Sequence, residues 1–206
     1  MDAEYIAGST GREVYTDGAC LGNPGPGGWA WAVPGGPFAS GAAALTTNQR
    51  MEVQAALEAV RALDGPLVVV SDSTYVVNCF RDRWWEGWLR RGWVNTAKKP
   101  VANRDLWEPL IDAVRADPSR VTFRWVKGHS EDPFNDLVDR LAVEAARTQT
   151  GRSGEGTPAD PGPSGPTSGM AGPSDPTSGM AGPLDPAGDP RLPPGRLVAI
   201  TVHRPP

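Results

Sequence analysis

Hydrophobic positions change period several times along the first 150 residues, and the changes outline the elements. Residues 12–21 (REVYTDGACL) and 27–33 (GGWAWAV) alternate as strands do, the second with Trp29 and Trp31 on one face. Asn23-Pro24-Gly25-Pro26-Gly27 between them is a turn signal. A weaker strand follows near 38–44. Glu52, Ala56, Ala59/Val60 and Leu63 then recur at helical spacing, which predicts a helix over 47–63, with Thr46 and Gln49 placed for a capping box. Asp64-Gly65-Pro66 stops it. The run Leu67-Val68-Val69-Val70-Ser71 has no alternation and predicts a central strand buried on both faces. Helical stretches follow at 74–80 and 83–89, then an irregular loop, a helix over 104–116, an alternating strand over 119–126 and a helix over 134–147. Three early strands followed by alternating helix and strand predict an α/β domain with a mixed sheet flanked by helices.

The pattern ends there. All eight Trp, and every Tyr and Phe, lie at or before Phe134. The 56 residues from Gly151 to Pro206 hold 11 Gly and 13 Pro, a composition that buries too little apolar surface to fold. They include a near-exact ten-residue repeat, 166–175 and 176–185. The chain therefore divides into an extension (1–11), a domain (12–149) and a tail (150–206) expected to be disordered. Residues 197–202 (LVAITV) have the character of one short strand, which needs a sheet edge or a partner to form. What partner the tail would serve is not written in the sequence.

Composition changes the picture at one place. The chain carries a net charge of −4, yet residues 81–104 hold seven basic side chains against Asp82 and Glu86. A local basic patch inside an acidic protein is the footprint expected for phosphate binding. Trp84, Trp85, Trp88 and Trp93 interleave with it; core packing is the expected role for at least two of them. Cys20 and Cys79 give neither a disulfide framework nor metal-type spacing. There is no membrane-length apolar run and no secretory pattern at the N-terminus, so a soluble, cytoplasmic protein is expected; a monomer is expected as well.

Four carboxylates carry the candidate chemistry. Asp17 sits in a strand, Glu52 near the start of a helix, Asp72 just past the apolar strand, and Asp139 on the last helix after Lys127-Gly128-His129. A solvated surface role is the ordinary one for an acid. It is weakest for Glu52 and Asp72, which adjoin apolar faces. Hard divalent cations such as Mg²⁺ prefer oxygen ligands, and phosphoryl-transfer sites often hold two of them. Asp136, one turn before Asp139, competes for the fourth place. Asp139 shares a face with Ala142 and Val143, whereas Asp136 suits the helix N-terminus, where a negative charge complements the dipole.

The settings of these acids are specific. Tyr15-Thr-Asp-Gly-Ala-Cys-Leu-Gly-Asn-Pro-Gly-Pro-Gly-Gly28, Thr46-Thr-Asn-Gln-Arg-Met-Glu52, Ser71-Asp-Ser-Thr-Tyr-Val76, Arg91-Gly-Trp93 with Lys98-Lys-Pro100, Asp105-Leu-Trp107 and Trp125-Val-Lys-Gly-His129 resemble type 1 ribonuclease H, block by block and in order, over residues 12–147. The resemblance implies a ribonuclease H-like fold with a five-stranded mixed sheet. It implies an endoribonuclease that cuts the RNA strand of RNA–DNA hybrids with two Mg²⁺ or Mn²⁺ ions, leaving 5′-phosphate and 3′-hydroxyl ends, in tasks such as primer and R-loop removal. Carried over by position, Asp17, Glu52, Asp72 and Asp139 become metal ligands and His129 a proton-transfer or product-release group. Asn23, Asn48 and Gln49 would contact sugars and bases, where amides can read the 2′-hydroxyl. Thr47 and Asn103 would sit near a DNA phosphate. Trp84, Trp88, Arg90, Arg91, Lys98 and Lys99 would belong to a basic protrusion that grips the DNA strand. The family often has Asn at the position of Gln49, and its protrusion is often more basic. A proofreading exonuclease of the same fold would carry Asp-x-Glu in the first strand, where this chain has Asp17-Gly18-Ala19. A binding module without activity would have lost a carboxylate. With eleven residues before the first strand, no N-terminal hybrid-binding module is expected, and hydrolysis is expected to survive deletion of 151–206.

Overall fold

A computed structural model describes residues 11–128 and 132–156. The expectations for His129, for residues 1–10 and for 157–206, with the strand at 197–202, lie outside the described residues. The elements are β1 (Arg12–Cys20), β2 (Gly25–Ala32), β3 (Phe38–Thr46), α1 (Asn48–Ala62), β4 (Leu67–Ser71), α2 (Thr74–Arg81), α3 (Trp84–Arg90), α4 (Arg104–Ala116), β5 (Val121–Trp125), α5 (Pro133–Thr148) and β6 (Ser153–Gly154). They form one mixed sheet in the order β5-β4-β1-β2-β3-β6. β1, β4 and β5 run parallel; β2, β3 and β6 continue antiparallel.

Side-chain alternation divides the core between the two faces. Val14, Trp31 and Val69 point into the layer that holds α1, α2 and α4, with Leu57, Val60, Trp107 and Leu110. Tyr15, Ala30, Ala32, Val68 and Val70 point to the other face, against Val138, Leu141 and Ala142 of α5. β4 is buried at all five positions, as its unbroken apolar run requires. Two glycines let the layers close. A Cβ on Gly18 would stand 2.2 Å from the Glu52 nitrogen of α1, and one on Gly28 would stand 2.2 Å from the Ala142 oxygen of α5. Both contacts bring helices onto the sheet where the candidate acids lie.

Three expectations are corrected. The cap of α1 is Thr47, whose Oγ1 accepts from the Arg50 N–H at 3.3 Å, not Thr46, which ends β3. The five expected strands gain a sixth, because β6 pairs Gly154 with Phe38 and Ser153 with Ala39. Arg152 seats this strand through an ion pair to Glu144 at 2.8 Å and lies 6.0 Å over the Phe38 ring. The packed chain thus runs on to Gly156 instead of ending near residue 149. Finally, Trp88 is only 2% exposed, edge-on to Trp107 at 5.6 Å. Its indole belongs to the core and does not face a substrate. Trp93 is buried beside it, while Trp84 and Trp85 are half-buried against the same cluster.

Candidate active site

Each candidate acid is placed by a different element. Asp17 projects from the middle of β1, and its Oδ1 accepts from the Gly18 N–H at 2.7 Å. Glu52 lies just over one turn into α1 and is held at both oxygens, by Ser73 Oγ at 2.6 Å and Asn48 Nδ2 at 2.9 Å. The cost of burying a carboxylate is reduced by such bonds. Asp72 follows β4, and Asn135 Nδ2 approaches its Oδ2 at 3.4 Å. The turn bearing Asp72 is tied to β5, since Trp125 Nε1 donates to the Asp72 carbonyl at 3.0 Å and the Val126 N–H to that of Ser71 at 3.1 Å. Asp139 is half-buried on α5. All four, with Asp136, line one open depression of about 320 Å³, to which no Lys or Arg among the described residues contributes.

Acids at this density repel, and their proton affinities register it. Burial pushes the Asp17 carboxyl well above its usual range, and the charges of Asp72 and Asp139 push it further. Burial raises Glu52 to about 7 against the opposing bonds from Ser73 and Asn48, with Asp72 adding to the rise. Among the described residues, no three such side chains close into a ready-made cage. The donor set nevertheless fits a hard divalent cation: it is all oxygen, concentrated in one place and short of positive charge.

A second open pocket of about 580 Å³ adjoins the first and shares Asn48, Glu52 and Asp72 with it. Asn23, Thr47, Gln49 and Asn103 line it too, so five of the expected substrate contacts come together. Asn23 Oδ1 accepts from the Asn48 N–H at 3.4 Å, which joins the β1–β2 turn to α1. The basic residues stand apart. Arg90, Arg91, Lys98 and Lys99 are exposed on α3 and the loop after it, and none of them lines either pocket. Arg91 Nε donates to the Val94 carbonyl at 2.9 Å.

Three contributors escaped the sequence reading. Ser73 both caps α2 and holds Glu52; Ser-x-x ahead of an apolar helix carries the cap signal, but the contact to Glu52 spans 21 residues. Asn135 precedes Asp139 by one helical turn, the spacing that puts both on one face. Asp132 caps α5 ahead of Pro133 and accepts a bond from the Tyr15 hydroxyl at 3.2 Å. Asp-Pro at a helix start was a legible signal for the cap.

Comparison with known proteins places this geometry. The RNase H family model matches residues 10–147. The chain belongs to the RNase H family. Among its curated relatives, Ribonuclease H of Nitratidesulfovibrio vulgaris is 49% identical over 154 residues, covering 72% of this chain and 94% of that one. Ribonuclease H of Thermus thermophilus is 49% identical over 141 residues, 66% of this chain and 84% of that one. The crystal structure of LC9-RNase H1, described as a type 1 RNase H with the type 2 active-site motif, superposes with a TM-score of 0.57 at 34% identity over 68% of this chain and 73% of that one. As an RNase H, the protein is a hydrolytic nuclease of the type 1 kind, and the mixed sheet with its flanking helices is the RNase H fold. Among the described residues, no helix is long and apolar enough to cross a membrane.

Proposed function

We propose that this protein is an endoribonuclease that hydrolyses the RNA strand of RNA–DNA hybrids, with Asp17, Glu52, Asp72 and Asp139 as the ligands of two divalent cations. The observation that carries the reading is the convergence of these four carboxylates in one depression with no Lys or Arg among the described residues, in a chain 49% identical to named ribonucleases H. Bound there, Mg²⁺ or Mn²⁺ would supply the positive charge that stabilises attack of water on the phosphodiester and departure of the 3′-oxygen.

The protein's own residues perform the rest. Ser73 and Asn48 fix both oxygens of Glu52, so its carboxylate meets a ligand with little freedom left to lose. Asn135 holds one oxygen of Asp72, and the bond from Trp125 to its backbone carbonyl steadies the turn that bears it. Asn23, Asn48 and Gln49, which line the larger pocket, would donate to and accept from a ribose 2′-hydroxyl, which distinguishes RNA from DNA. Thr47 and Asn103, across the larger pocket, would hold a phosphate of the DNA strand. Arg90, Arg91, Lys98 and Lys99, with Trp84, would engage the backbone beyond it. His129 would act beside the attacked phosphate, in proton transfer or product release. The Gly128 backbone passes so near Asp72 that a Cβ there would stand 2.7 Å from Oδ2. The products would carry 5′-phosphate and 3′-hydroxyl ends, and the cellular tasks would be primer and R-loop removal in the cytoplasm.

The test is a substrate panel with Mg²⁺: one labelled RNA offered as an RNA–DNA hybrid, alone, and as double-stranded RNA. Internal cleavage of the hybrid alone is expected. Hybrid binding without cleavage in either Mg²⁺ or Mn²⁺ would make the protein a binding module instead.

A further inference from the structure

One long-range ion pair stands beside the larger pocket, at the first turns of two helices that form its walls. Arg50 follows Thr47 by three residues on α1, and Asp105 follows Asn103 by two on α4. The pair is bidentate: Arg50 Nη1 donates to Asp105 Oδ1 at 2.9 Å and Nη2 to Oδ2 at 2.5 Å. Planar two-bond pairing fixes orientation as well as distance. Each group also registers its partner. The bond raises the Arg50 guanidinium above its ordinary value and holds the Asp105 carboxyl below its own. Neither residue lines either of these two pockets.

The other side of α4 is fastened to α2. Tyr75 Oη accepts from Trp107 Nε1 at 3.0 Å, and the two rings meet edge-on at 5.2 Å. Asn103 itself has a left-handed backbone, φ 57°, and its side chain makes no capping bond to α4. Its position is therefore set by what fastens α4 to its neighbours: Tyr75 toward α2, and Arg50 toward α1. The side chains of the pair are 35% and 60% exposed, a setting in which an ion pair adds little to stability. Its geometric effect is larger, because it spans the gap between Thr47 and Asn103.

We infer that the Arg50–Asp105 pair is a positioning clamp that sets the separation of Thr47 from Asn103 and thereby the affinity for the DNA strand of a hybrid. This rests on the hybrid-cleaving reading above. Both are positioning residues; neither needs to touch the nucleic acid.

The rival role is that Arg50 contacts a phosphate directly and Asp105 competes for it. The two roles predict opposite signs for one substitution. The test measures Kd for a fluorescent RNA–DNA hybrid by anisotropy in EDTA, where no cleavage occurs, for the full chain and its Arg50→Gln, Asp105→Asn, Asp105→Glu and Arg50→Gln/Asp105→Asn variants. A clamp predicts that each of the first two weakens binding about fivefold and that the double variant is no worse than either, as coupled residues behave. Asp105→Glu should stay within about twofold of wild type, melting temperatures should stay within about 2 °C, and Asp105→Asn should leave the salt slope unchanged, since no phosphate contact is lost. Tighter or unchanged binding by Asp105→Asn would overturn the clamp, as would additive losses in the double variant. If wild type binds hybrids and responds in this way yet cleaves nothing in Mg²⁺, the cleavage reading fails while the clamp stands.

Discussion

The acidic depression and the basic α3 region hold charge of opposite sign in opposite settings. Between β1, α1, β4 and α5, five carboxylates line one hollow to which no Lys or Arg among the described residues contributes; Asp17 is buried and Glu52 half-buried. On α3 and its flanks the basic groups are exposed, and several sit beside acids: Arg81 by Asp82, Arg83 and Arg90 by Glu86, and Arg104 by Glu108. Buried acids without cations oppose folding and wait for a ligand. Exposed, paired bases are nearly neutral to folding and are free to meet a polyanion. Removing charge from the first region should therefore abolish chemistry and raise stability. Removing it from the second should weaken binding and leave both chemistry and stability nearly intact.

The largest expected effect is that of the cations themselves. Chelation should abolish hybrid cleavage by more than about a thousandfold, the equivalent of ~4 kcal/mol of transition-state stabilisation, and added Mg²⁺ or Mn²⁺ should restore it. Cleavage that persists in EDTA would end the comparison at once.

The next effect is on stability against pH. Glu52 is raised from 4.5 to about 7, and a carboxyl raised in the folded state stabilises the fold fully below its unfolded value. That contribution is lost as pH rises through the folded value. The cation-free protein should thus lose stability between about pH 4.5 and pH 7, by roughly 2 kcal/mol, or about 5 °C in melting temperature. Glu52→Gln should flatten the slope and melt higher at pH 8, and Mg²⁺ should protect wild type in the same range. Scanning calorimetry decides it; a slope unaltered by the substitution would mean that the Glu52 carboxylate is not strained.

On the basic side, Lys98→Ala/Lys99→Ala should raise KM for hybrid about three- to tenfold, with kcat within twofold and a shallower dependence of affinity on salt. A fall in kcat with KM unchanged would place these lysines in the chemistry and erase the contrast. The smallest effects should come from the far end of the sheet, which serves as the control for both regions. Ending the chain after Gly156 should change rate and melting temperature hardly at all. Ending it after Thr150 removes β6 and the Arg152–Glu144 pair and should lower the melting temperature by about 3–5 °C, an effect of ~1–2 kcal/mol, without changing kcat.

Much of this was legible in the sequence, for identifiable reasons. The Val run of β4 declared a strand buried on both faces, and the periodic stripe from Glu52 to Leu63 declared α1. Asp17, Glu52 and Asp72 were marked by their immediate neighbours, and the structure brings them together with Asp139. Local signals failed where two readings share one pattern. Adjacent threonines, Thr46 and Thr47, offer the same capping oxygen, and only the end of β3 selects between them. Trp88 stands among arginines, and aromatics interleaved with bases look alike whether they face a substrate or a core. β6 is a Ser-Gly pair with no periodicity to read; it exists because Arg152 and Gly151 fit against Ser40. The bonds that brace the site, Ser73 to Glu52, Asn135 to Asp72 and Arg50 to Asp105, join residues 21, 63 and 55 positions apart, which only the tertiary fold brings within reach.

The most direct test of the central claim is single-turnover cleavage of a labelled RNA–DNA hybrid in Mg²⁺ by wild type and Asp72→Asn, with hybrid affinity measured alongside. The account predicts a loss of about a thousandfold or more in rate, an affinity within a few-fold of wild type and a melting temperature no lower. An Asp72→Asn protein that cleaves within tenfold of wild type would contradict it.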